Sequence, residues 1–364
     1  MAWPVLLLAR ELDLGGSERQ MTEIAKTLDR SRFAPHVGCF RPQGIRHAEL
    51  AASGVPIVHF PLDSFASLGA LSAAWKLGSY IRRHKIRLVH TFDYPLTLFA
   101  VPVARWSTSA VVVGSQRSHR SLIPRKYRRL IRMTDHIADA IVVNCDFVRQ
   151  HLLNDERVSG GRIRLCYNGV DLEEFQAAET PRDSLAIGVV CALRPEKDLG
   201  TLIHAFARVR RSGLRLLIVG SGSMLGPLRL QAEARGLAGD CTFVPATEKV
   251  AEWLRAIDIF VLPSRSEAFS NSLLEAMACG CCPVASKVGG NVELIRNGEN
   301  GMLFEPGDVD QLSNVLEALV ELRVLREQLA AKARCTAQRF SIASSARRME
   351  EIYTELIEGS SRRP

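Results

Sequence analysis

No apolar run in this chain approaches the ~20 residues that a membrane-spanning helix needs. Val5–Ala9, near the start, is too short for a signal-peptide core and is followed by no small-residue cleavage site, so it reads as a first strand. The nine cysteines have neither an even count nor the spacing of a disulfide framework; the expected compartment is a reducing one, the cytoplasm. Cys279, Cys281 and Cys282 lack the second His or Cys pair that a zinc site requires. The basic segments show no interleaving with aromatics and match no binding module, so nucleic acid is not an expected partner. Acidic residues are missing altogether between Asp93 and Asp135, a gap that holds Arg105, Arg117, Arg120, Arg125, Lys126, Arg128, Arg129 and Arg132. Residues 1–168 carry 24 Lys and Arg against 13 Asp and Glu, whereas the remainder carries 23 against 26. A basic half of this kind attracts phosphates or an anionic membrane surface. The rest is ordinary for a globular chain: 364 residues, 47% hydrophobic and 24% charged, long enough for two cores of ~150–200 residues.

The most informative stretch is Ser264–Met277, SRSEAFSNSLLEAM. Before it, Ile257–Pro263 is a short apolar run of the kind that makes a buried strand. After it, Leu273, Leu274, Ala276 and Met277 open a helix that Ser270 or Asn271 caps, and Gly280 supplies the left-handed residue that ends it. Strand, polar turn and helix together leave the backbone N–H groups of Asn271–Leu273 as an anion site. Glu267 and Glu275 bracket that site, eight positions apart. Two readings stand: a capped helix with two surface glutamates, or a phosphate site flanked by carboxylates that take ribose and sugar hydroxyls.

This E-x7-E block resembles the motif of retaining GT-B glycosyltransferases of family 4. SRSEAFSNSLLEAMACG (264–280), PVASKVGGNVELI (283–295) and NGENGMLFEPGD (297–308) follow the order that family uses, and the resemblance runs from the N-terminal Gly-Gly turn to the last helix. It implies an α/β fold of the GT-B kind, two doubly wound Rossmann-like domains facing across a cleft, with the C-terminal helix returning to the first. The expected divisions are an acceptor-binding domain at 1–167 joined by helix 341–358, a linker at 168–183, and a nucleotide-sugar-binding domain at 184–340.

In chain order, Val5–Ala9 is a strand, and Gly15-Gly16 allows a tight turn before a helix over Gln20–Leu28. Phe33–Phe40 and Val55–Phe60 read as strands, Ala70–His84 as an amphipathic helix and Ile86–His90 as a strand. His90 and Asp93 then sit at a strand end, where open α/β sheets bind ligands. Similar proteins often have His-x-His here; this chain has Phe92 in the second place. Val111–Gly114 is a strand and Ser115–Pro124 a polar loop. Over Arg125–Ala138 the residues Tyr127, Leu130, Ile131, Thr134 and Ile137 share one helical face. The arginines take the other face, either as a solvated surface or as one that touches anionic lipid.

Ala140–Asn144, Arg162–Cys166 and Leu185–Leu193 are further strands. Next come Arg194 and Lys197, which can clamp a pyrophosphate. The family usually has an Arg two residues earlier, where this chain has Ala192, and Gly where it has Ala268. Gly220-Ser-Gly222 with Gly226 misses the dinucleotide spacing by one residue and reads as a turn beside the nucleotide. Val309–Arg339 is expected to be one helical stretch, and Ile342–Ile357 the last helix. Asp308 and Asp310 cap a helix rather than hold a metal.

By the resemblance, then, the chain is a metal-independent, retaining glycosyltransferase of hexosyltransferase type. Its donor is a nucleoside diphosphate sugar, UDP favoured, and its acceptor a hydroxyl of a lipid-linked or polysaccharide glycan. Glu267, Lys197, Arg194 and His90 are the expected catalytic residues. Gly15, Gly16, Gly220, Ser272, Leu273 and Glu275 are the expected donor-binding ones. A nucleotide-sugar epimerase and a non-catalytic nucleotide-sugar-binding protein on the same fold are the alternatives. A glycoside hydrolase is disfavoured, because a helix N-terminus stabilises the ionised carboxylate and not the raised acid that such an enzyme needs.

Overall fold

The computed structural model describes residues 2–62, 64–65, 67–177 and 185–360. It divides into two compact units, Met1–Gly169 with Ile342–Pro364, and Val170–Ser341. The part of the expected linker at 178–183 lies outside the described residues.

The first unit contains β1 (Trp3–Glu11), α1 (Gly16–Thr27), β2 (Phe33–Arg41), α2 (Ile45–Ala52), β3 (Ile57–His59), α3 (Leu68–Arg83), β4 (Leu88–Thr91), α4 (Tyr94–Ser107), β5 (Val111–Gln116), α5 (Arg125–Ile137), β6 (Ala140–Val143), α6 (Asp146–Asn154) and β7 (Ile163–Leu165). Its strands form one sheet in the order β3-β2-β1-β4-β5-β6-β7, parallel in every pair. Apolar runs such as Val5–Ala9 and Ala140–Val143 are buried along their length, as a parallel sheet covered on both faces demands. One face packs against Met21 and Ile24 of α1 and Leu50 of α2. The other packs against Ala73, Leu77 and Ile81 of α3 and Phe99, Ala100 and Ala104 of α4.

The second unit contains β8 (Ala186–Val190), α7 (Leu199–Val209), β9 (Arg215–Val219), α8 (Leu225–Glu233), β10 (Cys241–Val244), α9 (Val250–Arg255), β11 (Ile259–Leu262), α10 (Asn271–Ala278), β12 (Cys282–Ser286), α11 (Asn291–Leu294), β13 (Met302–Phe304), α12 (Val309–Glu321) and α13 (Arg323–Gln338). Its sheet is β10-β9-β8-β11-β12-β13, again parallel. The last helix, α14 (Ile342–Ser360), belongs to the first unit. Met349, Ile352 and Tyr353 enter the core on the α1 side, and Arg164 pairs with Glu355 at 2.6 Å.

Three local expectations are corrected. Val309–Arg339 is two helices, because Leu322 leaves helical geometry at φ −93, ψ 78 and the two halves pack on different partners, α12 on α7 and α13 on α10. Helix α1 starts at Gly16, not Gln20. Leu130 is exposed rather than on the inner face of α5, which instead buries Ile131, Thr134 and Asp135. Helix α4 escaped the sequence reading because of its prolines. Pro95 sits in the first turn, where no N–H is needed, and Asp93 caps it by accepting from the Leu96 amide at 2.9 Å.

Candidate active site

In the second unit the strand order reverses between β8 and β11, and ligands of open α/β sheets gather at such a switch point. The loop after β8 ends in a short turn, Pro195–Lys197, and the loop after β11 carries Glu267. Lys197 Nζ donates to Glu267 Oε1 at 2.5 Å, and Ser264 Oγ donates to the same oxygen at 2.7 Å. Both side chains of the ion pair are largely covered, at 18% and 10% exposure. Ser264 is itself fully buried, and its carbonyl accepts from Ser286 Oγ at 2.5 Å, which ties the loop to β12. Burial works against the Lys197 ammonium, but the Glu267 carboxylate outweighs it and raises the lysine above its ordinary value. The stabilisation from this raised group is present below that ordinary value of 10.5 and is lost only as pH climbs through the higher folded value. Lys197 therefore stays cationic across the neutral range.

The glycines explain how the loops come so close. At Gly289, with φ +51, a Cβ would fall 1.9 Å from the Glu267 carbonyl oxygen, and at Gly290 one would fall 2.3 Å from the Ala268 oxygen. The Gly290 amide donates to that Ala268 oxygen at 2.8 Å. Any side chain at 289 would push the Glu267 loop away from Lys197. Gly220 (φ +146) and Gly222 (φ +158) press in the same way on the carbonyls of Cys191 and Leu193, whereas Gly226 meets nothing within 4 Å. The first two glycines are thus required by the turn and the third is not.

Ser270 is the N-cap of α10, its Oγ accepting from the Leu273 amide at 3.3 Å. This corrects the reading of that amide as open, although 3.3 Å is long for such a bond. Glu275 is buried one turn further on. Arg194 is two-thirds exposed, and its nearest carboxylate is Glu196 at 4.0 Å, so it stands off from the Lys197–Glu267 pair. A second cation escaped the sequence reading. Arg265 pairs with Asp198 at 2.9 Å and lies where a Cβ on Gly307 would collide at 2.8 Å. Ser264 was missed too, although a small hydroxyl three residues before the glutamate is the signal. Asn291 is fully buried; its Nδ2 donates to the Ser286 carbonyl at 3.1 Å, and its Oδ1 has no partner among the described residues.

In the first unit the switch point lies between β1 and β4, where the Arg10 amide donates to Asp93 Oδ2 at 2.7 Å. Gly15 is the N-cap of α1, and a Cβ there would fall 2.0 Å from Glu18 Oε2; Gly16 begins the helix. A hollow of about 210 Å³ in this unit is lined by Arg10, Phe40, Arg41, Phe65, Pro95 and Tyr127 among others. Both arginines reach Glu11, at 2.6 and 3.7 Å.

His90 is corrected most sharply. It is fully buried, its Nδ1 bonded to Tyr353 Oη and its Nε2 to Ser115 Oγ, both at 2.7 Å. Neither nitrogen is left for a sugar, and the ring instead fastens α14 to β4 and β5. Burial, helped by Arg117, lowers its pKa to about 3. Unfolded, the ring titrates near 6.5, so the stability it contributes above that pH is lost as pH falls toward 3. Burial raises Asp93 to about 6, which has the opposite sign: its contribution is present below 3.8 and lost as pH rises through 6. The two offset each other between about pH 4 and 6. In Asp93→Asn the offset is gone. The melting-temperature gap to wild type should therefore widen on acidification from pH 6 to 4, by the equivalent of about 1–2 kcal/mol. Parallel melting curves across that range would refute the assignment.

Among the described residues, His119, His151 and Asp155 bring potential ligand atoms within 4.8 Å of one another. The two imidazoles stack, however, with centroids 4.0 Å apart and planes at 36°. His119 Nδ1 is bonded to Ser121 Oγ at 2.8 Å and His151 Nδ1 to Asp155 Oδ2 at 2.6 Å, so the group is accounted for without an ion.

With this geometry in view, residues 14–174 match the sequence model named Glycosyltransferase Family 4, and residues 171–336 match the one for glycosyl transferases group 1. The chain belongs to glycosyltransferase family 4. It is 30% identical over 239 residues to a D-inositol 3-phosphate glycosyltransferase of Streptosporangium roseum, an alignment covering 60% of this chain and 55% of the relative. It is also 33% identical over 284 residues to an exopolysaccharide phosphotransferase of Streptomyces coelicolor, covering 74% and 30% respectively. The chain spans about half the length of the inositol-phosphate relatives it matches. Its GT-B fold is shared with Anabaena HepE, solved with UDP and glucose, at TM-score 0.84 and 23% identity over 96% of this chain and 99% of that one. WaaG, a glycosyltransferase involved in lipopolysaccharide biosynthesis, superposes at TM-score 0.76 and 17% identity, covering 96% and 99%. Among the described residues of this family 4 chain, no helix is long and apolar enough to cross a membrane.

Proposed function

We propose that this family 4 chain is a retaining hexosyltransferase. It moves a sugar from a UDP-sugar to a hydroxyl of a lipid-linked or polysaccharide acceptor at an anionic membrane surface. The observation that carries the reading is the covered Lys197–Glu267 pair at the switch point of the second unit, eight positions ahead of Glu275 on a capped helix. Uridine is favoured because HepE has been solved with UDP and with UDP-glucose.

In the reaction, the bond from sugar C1 to the β-phosphate oxygen breaks and its electron pair stays with the phosphate. The acceptor oxygen bonds to C1 on the face the phosphate leaves, and the hydroxyl proton passes to the departing phosphate oxygen. No protein base is required, so the chain's task is positioning and stabilising negative charge. Lys197 supplies a fixed cation. The amides of Ser272 and Leu273 receive the phosphate, whose oxygen competes well with the long bond from Leu273 to Ser270. Arg194 assists from its exposed position, Glu267 holds the sugar hydroxyls, and Glu275 holds the ribose. Gly220 lets the backbone approach the nucleotide, and Gly15 and Gly16 are assigned to donor binding on the family pattern alone. No metal is needed for these roles. The hollow with Arg10 and Arg41 suits the anionic head of the acceptor.

The test is a thermal-shift panel of UDP, GDP, ADP and their sugars, since a ligand that binds only the folded state raises the melting temperature. UDP and at least one UDP-sugar should raise it. If every nucleotide leaves it unmoved, the donor reading fails.

A further inference from the structure

Six large apolar side chains stand in solvent on three consecutive helices that cover one face of the first sheet. On α3 they are Leu68 at 87% exposure, Leu71 at 71% and Trp75 at 73%; Trp106 ends α4 at 78%, and α5 adds Leu130 and Met133. The spacing 68, 71, 75 puts the α3 residues on one helical stripe, opposite Ala73, Leu77 and Ile81, which fill the core. The layer is continuous. Arg82 of α3 donates to the Ser107 carbonyl beside Trp106 at 3.1 Å, and Arg105 of α4 donates to the Ile137 carbonyl of α5 at 2.8 Å.

The charge along these helices is nearly all of one sign, although Arg105 beside Trp106 is paired with Asp139 at 2.9 Å. From residue 64 to 134 the sequence holds thirteen Lys and Arg and a single acidic residue, Asp93, whose carboxylate is spent on the Leu96 and Arg10 amides. Asp135, which follows, is buried against Arg120. Not all the cations point outward: Arg120 is buried, Arg128 donates to the Ser121 and Ile123 carbonyls, and Arg132 pairs with Glu156. Lys76, Arg82, Arg83, Arg125, Lys126 and Arg129 are exposed.

We propose that the outer face of α3, α4 and α5 is a membrane-docking surface. Leu68, Leu71, Trp75 and Trp106 enter the headgroup and upper acyl region of an anionic phospholipid leaflet, and the surrounding lysines and arginines meet its phosphates. This extends the reading given under Proposed function by naming where the acceptor's membrane meets the chain. The choice of partner follows from the mixture of side chains. Exposed leucines gain nothing on a nucleic acid, whereas an apolar centre with a basic surround matches hydrocarbon beneath anionic headgroups. Tryptophan and leucine ringed by basic residues on a helix face is the composition of an interfacial element. The placement also suits an acceptor with a lipid tail. Phe65 just before α3, Pro95 in the first turn of α4 and Tyr127 in the first turn of α5 all line the hollow that holds Arg10 and Arg41. A head group rising from a leaflet under these helices meets that hollow at their N-terminal ends.

The experiment is vesicle flotation of the full chain with phosphatidylcholine alone and with added phosphatidylglycerol, at low and high salt. It compares wild type, Trp75→Ser/Trp106→Ser and Leu71→Ser. Wild type should float with the anionic vesicles, and the double variant should lose at least ~10-fold in partitioning even at low salt, because binding scales with buried apolar area. Melting temperature and the response to UDP should be unchanged in both variants, since these side chains are exposed and belong to the unit that does not contain Lys197. Partitioning equal to wild type in the double variant overturns the proposal, as does no flotation of wild type at all. So does a self-association that the same substitutions abolish, or tighter binding to an RNA or DNA oligonucleotide than to vesicles. A UDP response without flotation removes the docking face and leaves the transferase reading standing; flotation without any nucleotide response does the reverse.

Discussion

Lys197→Ala should lower turnover at saturating donor by ~10²–10³, the range found on losing one preorganised group that meets developing charge. Lys197 is held 2.5 Å from Glu267 in a covered site, so its charge is in place before any donor arrives and needs no reorganisation. The same pairing complicates the experiment, because alanine leaves the Glu267 carboxylate buried with only Ser264 beside it, and an unpaired buried charge costs stability. The single variant should therefore also melt lower. Lys197→Ala combined with Glu267→Gln removes the stranded charge and should recover much of the lost melting temperature while turnover stays low. Recovery of turnover along with stability would mean that Lys197 is a structural cation and not a charge stabiliser.

The two glutamates should separate in the opposite way. Glu275→Gln should weaken UDP and UDP-sugar alike, by about 10–100-fold, as expected when a charge-assisted bond to the ribose is lost. Glu267→Ala should leave bare UDP bound and lower turnover, because the contact it removes is to the transferred sugar. A uniform loss in both variants would place the two carboxylates on the same part of the donor and dismantle the assignment.

Much of this was legible in the sequence, and the reasons are physical. Parallel strands buried on both faces appear as unbroken apolar runs, so Val5–Ala9, Ala140–Asn144 and Ile257–Pro263 all fall on observed strands. The strand–turn–helix around Glu267 announces itself through Ser270 and Gly280, whose capping and left-handed geometry are local properties. His90 was misread because a strand-end histidine has the same sequence signature whether it faces a ligand or the interior. Only α14, arriving 263 residues later with Tyr353, decides between them. Arg120 looked like part of a basic surface and is buried for a related reason: Asp135 and Glu156, which compensate it, are distant in sequence. The amphipathic helix read over Ala70–His84 includes Leu71 and Trp75 but stops short of Leu68, where the observed helix begins, and periodicity reports a face without saying whether anything covers it.

The central claim is that the Lys197, Glu267 and α10 region of the second unit is a UDP-sugar site. Calorimetric titration of UDP and UDP-glucose into wild type, Glu275→Gln and Glu267→Ala addresses it most directly. Wild type should bind both ligands, Glu275→Gln should weaken both, and Glu267→Ala should keep UDP while losing the added affinity for the sugar. Binding of UDP and UDP-glucose that neither substitution alters, or no binding heat in the wild-type chain, would contradict it.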